Sequence, residues 1–399
     1  MPDRLPPDLV VPRYGERSLA EVVPALLGAL GLPPVPTDAP TGPGGAGPLA
    51  IEPARAAALL LVDGLGAEQL RRYAADAPFL SSLADAGPLT AGFPSSTATS
   101  LTSLGTGTPP TAHGMVGITM RVGPTRRPTL LHALHWTDPR ANPAVDLRDQ
   151  FPPEGVQAAP TAFERAEAAR IAVTVVSARR FRNSGLTRAA LRGGTFRGVT
   201  AIGDLAAEMI TALRGPGHRL VYGYHADLDA MGHEHGPGSL PWRMQLGAVD
   251  RLAALVAEHL PTDAVLAVTG DHGMVAVDRR FDADTDPDLQ RDVDLLGGDP
   301  RARLVYARRG AAADVLATWR AVLGDAALVV PGEQAVADGW FGPPPTRFAE
   351  RVGDVVAVAR GGTALIRSAA EPGLSTLPGQ HGALSAEEQR VPLLLARGS

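Results

Sequence analysis

Ala56-Ala-Ala-Leu-Leu-Leu-Val-Asp63-Gly64 decides the fold. An unbroken apolar run leads straight into an acidic turn, which reads as a strand buried on both faces and stopped by Asp63-Gly64. Such a strand needs covering helices on each side of its sheet. Similar short runs recur at Ile171–Val176, Arg219–Tyr224, Ala264–Thr269 and Val391–Leu395. Helix-like segments lie between them at Ala67–Ala75, Ala98–Leu104, Ile202–Leu213, Leu240–His259 and Ala311–Leu323. Strands alternating with helices predict an α/β fold, an α/β/α sandwich around a mostly parallel central sheet. Ligands of such folds gather at the carboxyl ends of the strands.

Outward from this core the chain changes character twice. Residues 1–50 are broken by proline and by the run Thr41-Gly-Pro-Gly-Gly-Ala-Gly-Pro48, with one helix expected over Ser18–Leu30, and are read as an N-terminal arm laid on a main body of residues 51–399. Within that body, residues 275–375 carry Pro- and Gly-rich loops around short strands, and are expected to form a smaller cap or insertion over the same sheet edge.

Composition removes several function classes. The 399 residues are 45% hydrophobic and 20% charged, enough for a large core and unlike a disordered or fibrous chain. The 37 basic residues, all arginine, face 42 acidic ones for a net charge of −5, so no global positive field exists to hold nucleic acid as a stable partner. Cysteine is absent, which excludes disulfides, thiolate metal sites and thiol nucleophiles. Any metal must rest on His, Asp, Glu or hydroxyl groups. The chain opens without a basic segment followed by an apolar run, and no stretch reaches the roughly 18 apolar residues of a membrane span. A soluble, cytoplasmic protein is expected, its oligomeric state left open.

The candidate chemistry lies where strands end. Asp229-Ala-Met-Gly-His233 sets a carboxylate and an imidazole four residues apart, on one face of a helical turn, a common way to present two ligands to one metal. A solvated loop would account for this pair alone, and Asp227 competes with Asp229, although the spacing to Gly232 and His233 favours Asp229. Asp271-His272 follows a predicted buried strand, where a helix N-cap aspartate with an exposed histidine is the alternative. His381 sits in the glycine-flanked turn Gly379-Gln-His-Gly, where an ordinary loop histidine would also fit. Pro94-Ser-Ser-Thr97 supplies a hydroxyl-rich helix entrance that suits an anion, or plain capping by Ser95, Ser96 or Thr97. Capping does not explain why all of these occur together.

The ordered set Leu-Val-Asp63-Gly, Pro-Ser-Ser-Thr97, Gly107-Thr-Pro-Pro-Thr-Ala-His113-Gly, Asp229-x-x-Gly-His233-x-x-Gly-Pro, Gly270-Asp271-His272-Gly-Met and Gly379-x-His381-Gly resembles the type I phosphodiesterase/nucleotide pyrophosphatase branch of the alkaline phosphatase superfamily. The resemblance runs from about Ala56 to the C-terminus. It implies an alkaline-phosphatase-like fold, with Asp63, Thr97, Asp271 and His272 around one divalent metal and Asp229, His233 and His381 around a second. Thr97 would be the nucleophile, and His113 a structural hydrogen-bonder. A donor set of Asp, His and hydroxyl without thiolate suits two zinc ions, or manganese. The implied activity is metal-dependent hydrolysis of a small-molecule phosphodiester or nucleotide pyrophosphate through a phosphothreonine intermediate.

One position departs from the pattern. Where many nucleotide pyrophosphatases carry an asparagine that contacts a phosphate oxygen, His113-Gly-Met-Val-Gly-Ile118 has an isoleucine, which cannot donate that hydrogen bond. The metals, the Thr97 backbone N–H or Arg121 would have to meet the charge instead. Two alternatives stand beside the diesterase: a phosphomonoesterase or phosphonate hydrolase on the same scaffold, for which Arg179, Arg180 and Arg182 would have to fold inward, and a catalytically silent module binding a phosphorylated ligand. Substrate choice would rest on the cap, on loops from His132 to Phe151, and on a few aromatic candidates: Trp136, Phe151, Phe181, Trp340 and Phe341.

Overall fold

The computed structural model describes residues 6–32, 49–124, 128–141, 143–344 and 348–398. The Thr41–Pro48 run expected in the arm lies outside the described residues. The chain lays down strands β1 (Ala56–Val62), the short β2 (Ala84–Asp85), β3 (Ala172–Ala178), β4 (Thr195–Val199), β5 (Arg219–His225) and β6 (Ala264–Gly270). It then builds β7 (Val293–Asp299), β8 (Ala302–Ala307), β9 (Ala327–Pro331) and β10 (Val355–Ala359) into a second sheet, and returns as β11 (Leu393–Arg397). The central sheet has the order β2-β11-β6-β1-β5-β3-β4. Neighbours from β6 to β4 are parallel; β11 alone runs the other way, antiparallel both to β6 and to the short edge strand β2. This is the mostly parallel α/β sheet that the apolar runs predict.

Six helices matter for the site: α1 (Val22–Ala29), α2 (Thr97–Thr106), α3 (Ile202–Leu213), α4 (Asp227–His235), α5 (Leu240–Glu258) and α6 (Ala312–Leu323). Alternate residues of β1 serve opposite cores, because successive side chains of a strand point to opposite faces. Ala57, Leu59 and Leu61 join one core with Leu26 of α1 and Leu104 of α2. Ala58, Leu60 and Val62 join the other with Met209 of α3 and Leu246 and Val249 of α5. The Ser18–Leu30 segment forms a short 3-10 turn and α1, with Leu19, Val22, Val23 and Leu26 fully buried. Among the described residues no helix is long and apolar enough to cross a membrane.

The second sheet, ordered β7-β8-β10-β9, is antiparallel and packs α6 through Trp319 in a core of its own. It falls inside the stretch from 275 to 375, whose Pro- and Gly-rich sequence had pointed to short strands. A buried ion pair fastens this sheet to the body: Arg301 donates from Nε and Nη2 to the two carboxylate oxygens of Glu388 at 2.9 and 2.8 Å, with both side chains fully buried. Glu388 also accepts from the Ala383 N–H and the Ser385 hydroxyl, two and four residues beyond His381. Removing one partner of such a pair leaves a buried charge uncompensated. Glu388→Ala should therefore cost about 3–5 kcal/mol in chemical denaturation; a loss below about 1 kcal/mol would show that the pair behaves like a solvated one.

Candidate active site

Strand register assembles the site. β1 pairs with β5 so that Val62 lies beside His225, and with β6 so that Val62 lies beside Gly270. The three strands therefore end level, and the next residues of each, Asp63, the first turn of α4 and Asp271-His272, leave from one edge. Gly64 makes this closeness possible: its φ is +75°, and a Cβ there would stand 2.9 Å from the Asp229 Cα. Gly379 is equally constrained, since its Cβ would meet the Gly232 carbonyl at 2.1 Å, so the His381 turn is pressed against α4.

Two donor sets result. Around His272 Nε2 stand Asp63 Oδ1 at 3.4 Å, Asp271 Oδ2 at 3.3 Å and Thr97 Oγ1 at 3.3 Å. Around His233 Nε2 stand Asp229 Oδ2 at 3.4 Å and His381 Nε2 at 3.2 Å, with Asp229 Oδ1 3.8 Å from His381 Nε2. Asp229, His233 and His381, and likewise Asp63, Asp229 and His272, bring ligand atoms close enough to hold an ion, so Asp229 belongs to both groups. The His272 and His381 rings stack between the sets with centroids 3.5 Å apart. All seven residues singled out in the sequence thus meet at one place.

The imidazoles are oriented for coordination. His233 Nδ1 faces the Gly379 carbonyl at 2.8 Å, His381 Nδ1 the Ser95 carbonyl at 2.8 Å and His272 Nδ1 the Gly273 carbonyl at 3.0 Å. A carbonyl only accepts, so each ring donates from Nδ1 and, when neutral, turns a bare lone pair on Nε2 inward. Two such lone pairs 3.2 Å apart on His233 and His381 repel unless a cation lies between them. Among the described residues, Asp229 Oδ1 and Asp271 Oδ2 are also buried without a hydrogen-bond partner, a costly arrangement for carboxylates. Burial, reinforced by the Asp271 and Asp229 charges, pushes Asp63 well above the usual carboxylate range. Burial, with His272 and His233 nearby, holds His381 well below the usual imidazole range. Orphaned carboxylate oxygens facing inward-turned imidazole nitrogens fit a divalent metal.

The alternatives left open by the sequence now separate. Asp271 caps no helix; it accepts from the Gly64 and His272 N–H groups at 3.0 Å, and His272 is fully buried. None of the hydroxyls at the α2 entrance caps it. Ser96, the N-cap residue, makes no side-chain cap bond and engages Asp299 instead. Ser95 Oγ donates to the Ala383 carbonyl, and Thr97 Oγ1, in the first position of α2, faces His272 and Asp63. The free N–H groups and positive end of α2 are thereby left for an anion beside Thr97. Asp227 points to solvent near His225 and stays outside the cluster.

Some contributors were not foreseen. Tyr224, one residue before the end of β5, donates its hydroxyl to Asp63 Oδ2. Its place on the strand leading to Asp229 was the signal available. Asp299, at the end of β7, is buried, accepts from the Ile118 N–H at 3.2 Å and is pushed up to about 6, chiefly by burial. No local pattern marks it, because only the tertiary fold brings it to Ser96. Of the aromatic candidates, Trp136, Trp340 and Phe341 are buried in the core, while Phe181 is half-buried with its ring 6.0 Å from that of Tyr224. Arg121 stacks over Tyr306.

With this geometry in place, comparison with known proteins is informative. A family model described as type I phosphodiesterase/nucleotide pyrophosphatase matches residues 57–384. The chain belongs to this family. Its members are hydrolases, and so is this chain. The fold is similar to that of murine ectonucleotide pyrophosphatase/phosphodiesterase 5, with a TM-score of 0.63 at 19% identity over 86% of this chain and 88% of that one. Phosphonoacetate hydrolase from Sinorhizobium meliloti 1021, solved in complex with phosphonoacetate, gives 0.64 at 20% identity over 87% and 91%. The human counterpart of the murine protein gives 0.62 at 19% over 86% and 87%. No curated protein sequence matches the chain.

The family motif also contains His113, whose surroundings are structural. Met115 N–H donates to its Nδ1 at 3.1 Å, so the protonated Nε2 donates to Ser103 Oγ at 3.0 Å. Burial, aided by Arg351, lowers its pKa to about 3. Unfolding releases this group to titrate near 6.5, so the unfolded chain binds a proton that the folded one refuses, and stability falls as pH drops below 6.5 toward 3. The cost approaches about 1.4 kcal/mol per pH unit. In urea denaturation between pH 7 and pH 5, His113→Gln should lower stability at pH 7 but show a pH slope shallower by up to one proton; an unchanged slope would place the titration elsewhere.

Proposed function

We propose that this chain is a metal-dependent phosphodiester or pyrophosphate hydrolase with Thr97 as nucleophile, Asp63, Thr97, Asp271 and His272 as ligands of one divalent metal, and Asp229, His233 and His381 as ligands of a second. The observation that carries it is the pair of inward Nε2 lone pairs on His233 and His381 beside orphaned carboxylate oxygens. Zinc suits this thiolate-free donor set, and manganese is the nearest substitute. Bound cations would lower the pKa of a coordinated hydroxyl and offset charge on phosphate oxygens.

The chain's own residues do the rest. Thr97 Oγ1 is positioned between His272 and Asp63, at the start of α2, where backbone N–H groups face the entering phosphoryl group. Attack on phosphorus forms phosphothreonine and expels the leaving oxygen; water then attacks the same phosphorus and frees Thr97. Tyr224 holds Asp63, and the Gly379 and Ser95 carbonyls hold His233 and His381, so the donors are oriented in advance. Ile118 offers no side-chain donor, and its backbone N–H is taken by Asp299. That favours a substrate gripped elsewhere than at the position of the usual asparagine, and keeps phosphonate hydrolysis as the second reading.

Three measurements test this. Thr97→Ala should abolish turnover of an aryl phosphodiester while leaving fold and metal content intact; near-normal turnover would point to direct attack by water. Chelation should inactivate and zinc or manganese restore, with His381→Ala and His272→Ala each lowering bound metal by about one equivalent of the two expected; chelator-resistant activity would refute the metal assignment. A matched aryl diester should show a higher kcat/KM than the monoester, and the reverse order would move the chain to the monoesterase class.

A further inference from the structure

The carboxyl end of β3 opens into a second cleft, of about 580 Å³, beside the site. It is lined by Arg148, Arg179, Arg180 and Arg182 together with His135 and Phe181, and no acidic side chain is among its lining residues. The arginines are not equivalent. Arg148 is held by Asp146, and Arg182 donates to the Phe196 carbonyl at 2.9 Å and stacks on that ring. Among the described residues, the guanidiniums of Arg179 and Arg180 have no hydrogen-bond or carboxylate partner; Arg180 only stacks over Phe181, at 4.6 Å from the ring centre.

A continuous line of contacts joins this cleft to the donor cluster. Arg180 lies on Phe181, Phe181 packs edge-on to Tyr224, and Tyr224 donates to Asp63. Arg180, Phe181 and Tyr224 also border a shared smaller pocket that reaches Asp227 at the start of α4. In a chain with more acidic than basic residues, two unpaired guanidiniums opening on the reactive edge are a local exception to the global charge. A guanidinium offers a planar fork of donors suited to the oxygens of a phosphate or carboxylate, and it stays charged at any working pH.

Resting on the hydrolase reading above, we infer that the Arg179–Arg180 cleft binds a second anionic group of the substrate, a phosphoryl or carboxylate group carried at a distance from the scissile phosphorus. The native substrate is then a polyanion rather than a simple diester, and its distal charge supplies the binding energy that Ile118 does not. The donors are Arg179 and Arg180, with Phe181 and Tyr224 forming the apolar wall between the two anion positions.

The test uses three aryl phosphodiesters with the same p-nitrophenol leaving group, in which the retained phenyl ring bears hydrogen, a para-carboxylate or a para-phosphonate. The zinc-loaded enzyme should prefer the charged members by tenfold or more in kcat/KM, mostly through KM, and whether carboxylate or phosphonate ranks first identifies the distal group. The preference should weaken as salt is raised, because exposed charges are screened. In the Arg179→Ala/Arg180→Ala variant the ratio of charged to uncharged kcat/KM should fall at least tenfold and lose its salt dependence. Arg251→Ala, which removes a surface charge on α5 paired with Glu258, should keep the ratio. Equal kcat/KM across the series in the native enzyme, or an equal loss on all three in the double variant, overturns the inference while leaving the hydrolase reading standing; failure to turn over any member overturns both.

Discussion

Everything at the reactive edge depends on packing carboxylates and imidazoles into a largely desolvated space where they cannot fully satisfy one another. Asp63 and Asp271 are buried at the ends of adjacent parallel strands, and Asp229 reaches the same point from the helix that follows β5. Water would normally screen three such groups, and the burial of Asp63 and Asp271 removes much of that screening. The fold tolerates the arrangement because the scaffold beneath is stiff: β1 is buried along its whole length and shares both cores. Side chains that must hold an unfavourable geometry are placed at the ends of the most strongly packed elements, where the backbone can resist their repulsion.

This explains which parts were legible in the sequence. The apolar runs show the strands because burial on both faces removes the polar alternation of an exposed sheet. Ile202–Leu213 matches its predicted span, and Leu240–His259 ends one residue early at Glu258, because each carries a clear apolar face. The seven candidate ligands were legible for a related reason: each sits within a residue or two of a strand or helix terminus, where short motifs with glycine record a tight backbone. Asp299 and Tyr224 were not. Their roles come from contacts that join residues far apart in the chain, Asp299 to Ile118 and Tyr224 to Asp63, and no spacing rule encodes such pairs.

The β7–β10 sheet illustrates the difference in another way. Its strands are short and its loops rich in glycine and proline, so local patterns show irregularity without showing what the segment touches. The structure fastens it with the fully buried pair of Arg301 and Glu388, and pairs buried Arg303 with the half-buried Glu371. Buried ion pairs are weak sources of net stability, since desolvation offsets the attraction, but they penalise any packing that separates the partners. Their effect is to fix where the second sheet sits, and Glu388 transmits that placement to the turn carrying His381 through the Ala383 N–H.

The same logic applies on the opposite side of the site. Ser96 would ordinarily spend its hydroxyl on the first turn of α2, as N-cap serines do. Here the hydroxyl makes no cap bond and lies beside Asp299, which places the entrance of the helix against the second sheet. Forgoing a cap of this kind costs about 1 kcal/mol, yet two consequences follow from it. The first-turn N–H groups stay free to meet an anion, and the peptide preceding Thr97 is anchored through a buried carboxylate that also holds the Ile118 N–H. Nucleophile, helix entrance and second sheet are therefore one mechanical unit, and a hydroxyl that looked in the sequence like a capping group serves instead to position its neighbour.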